Sequence, residues 1–404
     1  MLQSSLGFHT MTLFLPLSGT KVEKLIKHFC RYRKNTKQIR IFIRKNALPG
    51  EKPTYSEYTP TYSGTRLLLP FNLQIIYPEK DCGIKWTVRA NSRNESFSSY
   101  TVEATINPKI LGGIQDYITA ASLDDMWSAI KKFNSISSNI SPLLRTFECY
   151  EPKRIDYCIN FALNELVPSC ASSKVMDLIK RGDIPPKYEQ WMLYSSISHR
   201  KKSVPGSFYL KCQSANINCY EKYIELQKRN QNNPDSVSQE VLAKAQDIIR
   251  FEVQCKYPKA RTLSKQAESI GYFGTDKYRY LLDYKACLIK INSYYGETIG
   301  RGDWFTVSEA ERIIRSHRYN SQKEQRLIAA LQRVSQCRSL ASAKASYQGS
   351  DLAAFKRTLK DLSDIGINPV TIPRDWGIKH IPNLMHTYND VSLARTAWPD
   401  IQLI

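Results

Sequence analysis

Alternation at a period of two dominates the segment Ile248-Ile249-Arg250-Phe251-Glu252-Val253-Gln254-Cys255-Lys256. Only an extended strand sends every second side chain to the same side, so Arg250, Glu252, Gln254 and Lys256 are predicted to share one face. A second segment, Arg154 to Phe161, reads as a strand in which Asp156 is the odd charged residue. A third strand, Ser207 to Cys212, leads to Asn216–Tyr220, after which the chain turns helical from Glu221 to Arg229. Acids on strands otherwise built of Ile, Phe, Tyr and Cys are costly to bury unless each is paired or bound to a cation.

The rest of the chain supplies the frame. Met11 to Leu17 reads as a strand, Val22 to about Cys30 as a helix, and Ile39, Ile41 and Ile43 as a strand within a basic stretch from Arg31 to Lys45. Residues 46–64 read as a long loop, and short β-type runs from Arg66 to Ile106 as an antiparallel meander. Ser122 is placed to cap a helix with Leu123, Met126, Trp127, Ile130 and Phe133 on one face, followed by a Ser/Asn-rich loop at 134–141. From about residue 297 the chain becomes helical and basic. Thr306 and Glu309 open one helix there, and another runs from Ser350 to Gly366. The predicted fold class is α+β: an antiparallel sheet with covering helices, then a helical C-terminal domain. The expected boundaries are 1–295, with a β-rich half 1–145 and a half 146–295 carrying the polar strands, and 296–404.

A length of 404 residues with 42% hydrophobic and 11% aromatic residues gives real cores and excludes a disordered or collagen-like chain. Lys plus Arg number 58 against 37 Asp plus Glu, so the formal charge is +21 and polyanions are the natural partners. The apolar run Met11–Leu17 is far short of the roughly 18 residues that span a bilayer, so no membrane partner is expected and the cytoplasm is the expected location. Ten cysteines without a CxxC pair read as small buried residues in a reducing compartment.

Most catalytic motifs are missing. There is no phosphate-binding GxxxxGK loop, no GxSxG elbow, no HExxH and no His-hydrophobic-His pair, and none of the six histidines has ligand spacing to another. What stands out is Asp156, the run Tyr220-Glu221-Lys222-Tyr223-Ile224-Glu225, and Arg250-Phe251-Glu252. Two readings fit these clusters. They are Arg–Glu pairs closing sheet edges, or Asp156, Glu225 and Glu252 together offer oxygen ligands to Mg²⁺ or Mn²⁺. In the second reading the ion polarises a phosphate and a neighbouring tyrosine attacks it.

The order Arg154-Ile155-Asp156, then Tyr220-x-Lys222-x-x-Glu225-Leu226-Gln227, then Ile249-Arg250-Phe251-Glu252 resembles the gene II/X family of filamentous-phage and plasmid replication initiators. Glu103 to Leu111 is similar to an acid-x-x-x-x-Pro-x-x-Leu segment of that family, and the Ile365-Gly366-Ile367 turn after a capped helix to its C-terminal domain. The chain departs from the family where Glu221 and Tyr223 flank Lys222, which makes Tyr223 a second candidate nucleophile. On a strand Tyr220 and Lys222 share a face, whereas on a helix Tyr220 and Tyr223 do.

The resemblance implies site-specific nicking and joining of DNA that starts rolling-circle replication, with 1–295 as the catalytic domain. Tyr220 would attack the scissile phosphodiester, keep the 5′ phosphate and free a 3′ hydroxyl. Lys222 would steady the pentavalent phosphate or depress the tyrosine pKa. Asp156, Glu225 and Glu252 would be the ligands of Mg²⁺ or Mn²⁺. Arg200, Lys201, Lys202 and Arg250 are the expected DNA contacts, the first three in a basic tip that reads equally as a solvated loop. Tyr157, Tyr194, Tyr209 and Trp191 could stack on unpaired bases, although packing explains aromatics more often. The expected partners are origin DNA and a host helicase and polymerase, with monomer and homodimer both open. A conjugative relaxase and a non-catalytic DNA-binding regulator are the rival functions.

Overall fold

The computed structural model describes residues 5–44, 54–70, 72–77, 82–90, 99–168, 170–194, 201–202, 204–232 and 237–389. The fold is α+β, as expected, and the chain forms two compact units that interleave in sequence. One comprises Gly7–Tyr157 and Gln254–Cys287, the other Met1–Leu6, Cys158–Val253 and Leu288–Ile404. Three strands, Ser5–Ser18, Glu151–Ala162 and Ile248–Cys255, run from one unit into the other. Residues from 296 onward therefore belong to the same unit as Cys158–Val253, and the expected segments 1–145 and 146–295 are cut differently.

In the first unit the strand order is Glu151–Ala162, Ser5–Ser18, Ser99–Ile106, Ile84–Ala90, Asn72–Ile76, Arg40–Arg44 and Tyr55–Glu57. From Ser5–Ser18 onward each neighbouring pair is antiparallel. Alternation decides the packing: Trp86 and Val88 are fully buried, and Trp86 meets Phe29 and Phe133, each at 6.4 Å between ring centroids. Those phenylalanines sit on the helices Gly19–Thr36 and Leu123–Ile140. Ser122 caps the second of these in a reciprocal box with Asp125.

Two expectations change here. The Ser/Asn-rich segment 134–141 is not a loop, because the helix continues to Ile140. Ile136, Ser137 and Ile140 extend the buried stripe of Met126, Ala129, Ile130 and Phe133, and packing of that stripe outweighs the poor helix propensity of serine and asparagine. The first helix likewise runs past Cys30 to Thr36, so Arg31, Arg33 and Lys34 decorate its last turns. In the segment 46–64 read as a loop, Tyr55–Glu57 pairs with the strand Arg40–Arg44, and Tyr62–Ser63 pairs with Arg66–Leu67.

The second unit orders its strands Glu189–Gln190, Ser207–Lys211, Ala215–Glu221, Ile248–Cys255 and Glu151–Ala162. Ile217, Cys219, Ile249, Phe251, Ile159 and Phe161 are buried on its apolar face. Tyr295 of the helix Tyr284–Thr298 packs there, 5.4 Å from the Phe251 ring and 5.8 Å from Phe161. The C-terminal helices Val307–Ser316, Ser321–Cys337 and Gly349–Asp364 follow, and the Thr306 side chain accepts from Glu309 N at the first of them. All ten cysteines are free thiols, and Cys158, Cys170, Cys219, Cys255 and Cys287 are buried. Among the described residues no helix is long and apolar enough to cross a membrane.

Candidate active site

The face opposite Tyr295 is polar, and it is polar for the reason that the alternation anticipated. Cys158, Asn160, Asn218, Arg250 and Glu252 are all buried, and each alternates with an apolar neighbour whose side chain goes the other way. Arg250 is completely buried and its Nε donates to Asn160 Oδ1 at 2.8 Å. Glu252, 4% exposed, accepts from Asn218 Nδ2 and from the Tyr220 hydroxyl, both at 3.4 Å.

Tyr220 lies one residue before the end of the strand Ala215–Glu221, directly opposite Ser207 in the antiparallel hairpin. The helix Lys222–Asn232 begins two residues later. This strand-to-helix passage separates the two candidate tyrosines. Tyr220 faces Glu252, whereas the hydroxyl of Tyr223, the second residue of the helix, accepts from Gln227 Nε2 at 2.7 Å. Lys222 is 2% exposed, donates to Glu225 Oε2 at 2.6 Å and lies 5.9 Å from the centroid of the Tyr220 ring. Tyr220, Asn218, Tyr209, Glu225, Lys228 and Arg229 line a cleft of about 600 Å³. Gly206 forms part of its wall with a left-handed backbone, where a Cβ would press into the Ile224 side chain.

Burial, with the Glu252 carboxylate next, pushes the Tyr220 phenol well above its usual pKa, against the opposing pull of Arg250. The expectation that Lys222 would depress it is therefore not met, since loss of solvent outweighs the cations. Burial, with Arg250 beside it, pushes the Lys222 ammonium down to about 8, against the support of Glu225. For Arg250, burial works against the charge, yet the anionic forms of Tyr220, Cys158, Glu252 and Glu225 hold it above its ordinary value. Chemically, the cluster is a neutral phenol, a carboxylate within reach of its proton, and two buried cations that favour any negative charge formed on the phenol oxygen.

The other predicted residues fall elsewhere. Asp156 belongs to the first unit, where it is 1% exposed, accepts from Arg154 Nη2 at 2.8 Å and is hydrogen-bonded by the Thr10 hydroxyl. Among the described residues no group of three or more His, Cys, Asp or Glu side chains is placed to hold a metal ion. As folded, Asp156, Glu225 and Glu252 do not form one oxygen cage, and each has a protein donor instead. Arg250, expected on DNA, is an interior charge, because its strand position turns it to the buried polar face. Arg200 lies outside the described residues, and Lys201–Lys202 forms a short strand paired with Leu193–Tyr194. Sequence reasoning missed Asn160 and Asn218. Asn160 stands in phase with Asp156 on its strand and Asn218 with Tyr220 on its own, and that phase was the available signal.

No protein-family model matches the chain, and no curated protein matches it. Among solved structures, a rolling circle replication initiator protein from Geobacillus stearothermophilus is similar over 67% of this chain and 80% of its own, with 11% sequence identity and a TM-score of 0.27. At that degree of likeness the chemistry has to be read from this chain's own residues.

Proposed function

We propose that the chain nicks and rejoins one DNA strand to begin rolling-circle replication, with Tyr220 as the nucleophile. The observation that carries this reading is Tyr220 lining a cleft, with its hydroxyl hydrogen-bonded to buried Glu252 and the buried cations Arg250 and Lys222 beside it. A tyrosine with a raised pKa is neutral near pH 7 and needs a base, and Glu252 is the acceptor in reach. The Tyr220 oxygen attacks the scissile phosphorus while its proton passes to Glu252. The bond from phosphorus to the 3′ oxygen breaks, and that oxygen leaves as a hydroxyl with a proton from solvent. Arg250 and Lys222 offset the charge gathered on the pentavalent phosphate. Rejoining is the reverse, with a 3′ hydroxyl attacking the phosphotyrosine. Origin DNA is the substrate of this proposal, and a host helicase and polymerase extend the freed end in the cytoplasm. No step is routed through a metal ion, because the acids that would hold one are committed to protein donors.

The test is incubation with supercoiled origin DNA in Mg²⁺, Mn²⁺ or EDTA, followed by peptide mapping. The expected product is a nicked circle whose 5′ end is joined to the peptide carrying Tyr220. Salt-sensitive binding without nicking or adduct under all three conditions would make the chain a DNA-binding regulator.

Lys222 also sets a pH limit. Its ammonium is present below about pH 8 and lost above it, so the nicking rate is expected to fall as pH rises through that value. Lys222→Arg keeps a cation at every accessible pH and should remove that falling limb, whatever it does to the absolute rate. A limb that persists at the same pH in Lys222→Arg assigns the titration to another group.

A further inference from the structure

The polar face that holds Tyr220 continues to the edge of its sheet, and its character changes on the way. Tyr209 stands directly opposite Asn218 in the hairpin. On the other side of Tyr209, Trp191 N donates to Tyr209 O at 2.9 Å, just beyond the edge strand Glu189–Gln190, whose residues pair with Lys211 and Leu210. Trp191, Tyr209 and Asn218 thus form one cross-strand row, about 10 Å from end to end at the usual strand spacing. The row ends at Glu252, which accepts from Asn218 and from Tyr220. It starts at a tryptophan that is 44% exposed, which is unusual for so large an apolar ring.

The two rings pack edge to face at 6.2 Å, and the exposed Lys211 places its ammonium 5.5 Å from the Trp191 centroid and 5.3 Å from that of Tyr209. Tyr209 also lines the Tyr220 cleft. Two aromatic rings and an ammonium, on a protein with a charge of +21, suit a ligand that combines flat apolar rings with anionic links. In a duplex the base faces are stacked on one another, whereas in a single strand they are available.

We propose that Trp191, Tyr209 and Lys211 form a ledge that binds single-stranded DNA by stacking unpaired bases and contacting phosphate, and feeds the strand to Tyr220. This deepens the nicking reading and rests on it for the direction of the strand; the binding itself does not depend on chemistry. Trp191 and Tyr209 were candidates for such stacking from the sequence, and the shared row with Asn218 gives them a place in the site.

The experiment measures fluorescence anisotropy of a labelled mixed-sequence 20-nucleotide strand, and of the same sequence as a duplex, with wild type, Trp191→Ala, Trp191→Phe and Lys211→Gln. Trp191→Ala is expected to weaken single-strand affinity about 10-fold with little change for duplex, and Trp191→Phe to restore most of it. Lys211→Gln should lower the slope of log affinity against log salt by about 0.7 on the single strand, as loss of one phosphate contact does. Unchanged thermal unfolding in all variants is expected for these exposed positions. Equal affinity of Trp191→Ala and wild type for the single strand overturns the ledge. So does an equal loss for single strand and duplex. If Trp191→Ala instead changes only the sedimentation of the protein, the face is a contact between copies and the ledge is again wrong. Wild type that binds single strands through Trp191 but never nicks supercoiled origin DNA sinks the nicking reading and leaves the ledge standing.

Discussion

Tyr220→Phe is expected to abolish the covalent protein–DNA adduct and to lower nicking by at least about 10³-fold, because no other group then supplies the attacking oxygen. The change removes one atom from a half-buried ring and one donor from Glu252, which keeps Asn218 as a partner. Its cost to stability should be about 1 kcal/mol, the net worth of an ordinary hydrogen bond. Loss of chemistry with retained folding is what separates a nucleophile from a packing residue, and thermal unfolding beside the adduct gel measures both. Tyr223→Phe is the matched control. It loses an acceptor for Gln227 and should keep the adduct. If the adduct survives Tyr220→Phe and vanishes in Tyr223→Phe, the strand-to-helix passage opens further in the complex than it does here.

Arg250→Met should be the most destabilising single change in the second unit. Arg250 is fully buried, and the carboxylates that favour its charge include Glu252 and Glu225. Removing Arg250 deprives Glu252, 4% exposed, of a buried cation that interacts with it and releases Asn160 from its bond. Such a loss typically costs about 3–5 kcal/mol. For a unit of this size that lowers the melting temperature by about 10 °C. The double variant Arg250→Met with Glu252→Leu should recover much of the loss, since no unpaired charge is left in the interior. A loss in the double variant equal to the sum of the two single losses would show that the residues do not act on one another.

The polar half of the sheet was legible from sequence because strand alternation is a local signal. Arg250 and Glu252 fall in phase on one strand, Asn218 and Tyr220 on another, and phase alone puts them on one face. Phase does not say how deep a face lies. That is why Arg250 was expected to meet DNA and is an interior charge, and why Lys222 was expected to acidify Tyr220 although burial does the reverse. The helix through 134–140 was missed for a related reason: its serines and asparagines obscure a stripe of Ile136 and Ile140 that only tertiary packing makes decisive. The partners of the acids were equally hidden. Thr10 reaches Asp156 from a position 146 residues away, and Asn160 reaches Arg250 across 90.

The interleaving of the two units bears on how the protein is made. The unit that contains Tyr220 takes residues from 158–253 and then from 288 onward, so it lacks Tyr295, the ring against which Phe161 and Phe251 pack, until the ribosome has passed the intervening stretch. During that interval the part of its apolar sheet face at Phe161 and Phe251 lacks its covering ring, and closure there has to wait for contacts between distant parts of the sequence. Chain synthesis itself thus withholds the assembled Tyr220 cluster until late, and a prematurely ended product carries every strand of that cluster without the core that holds them.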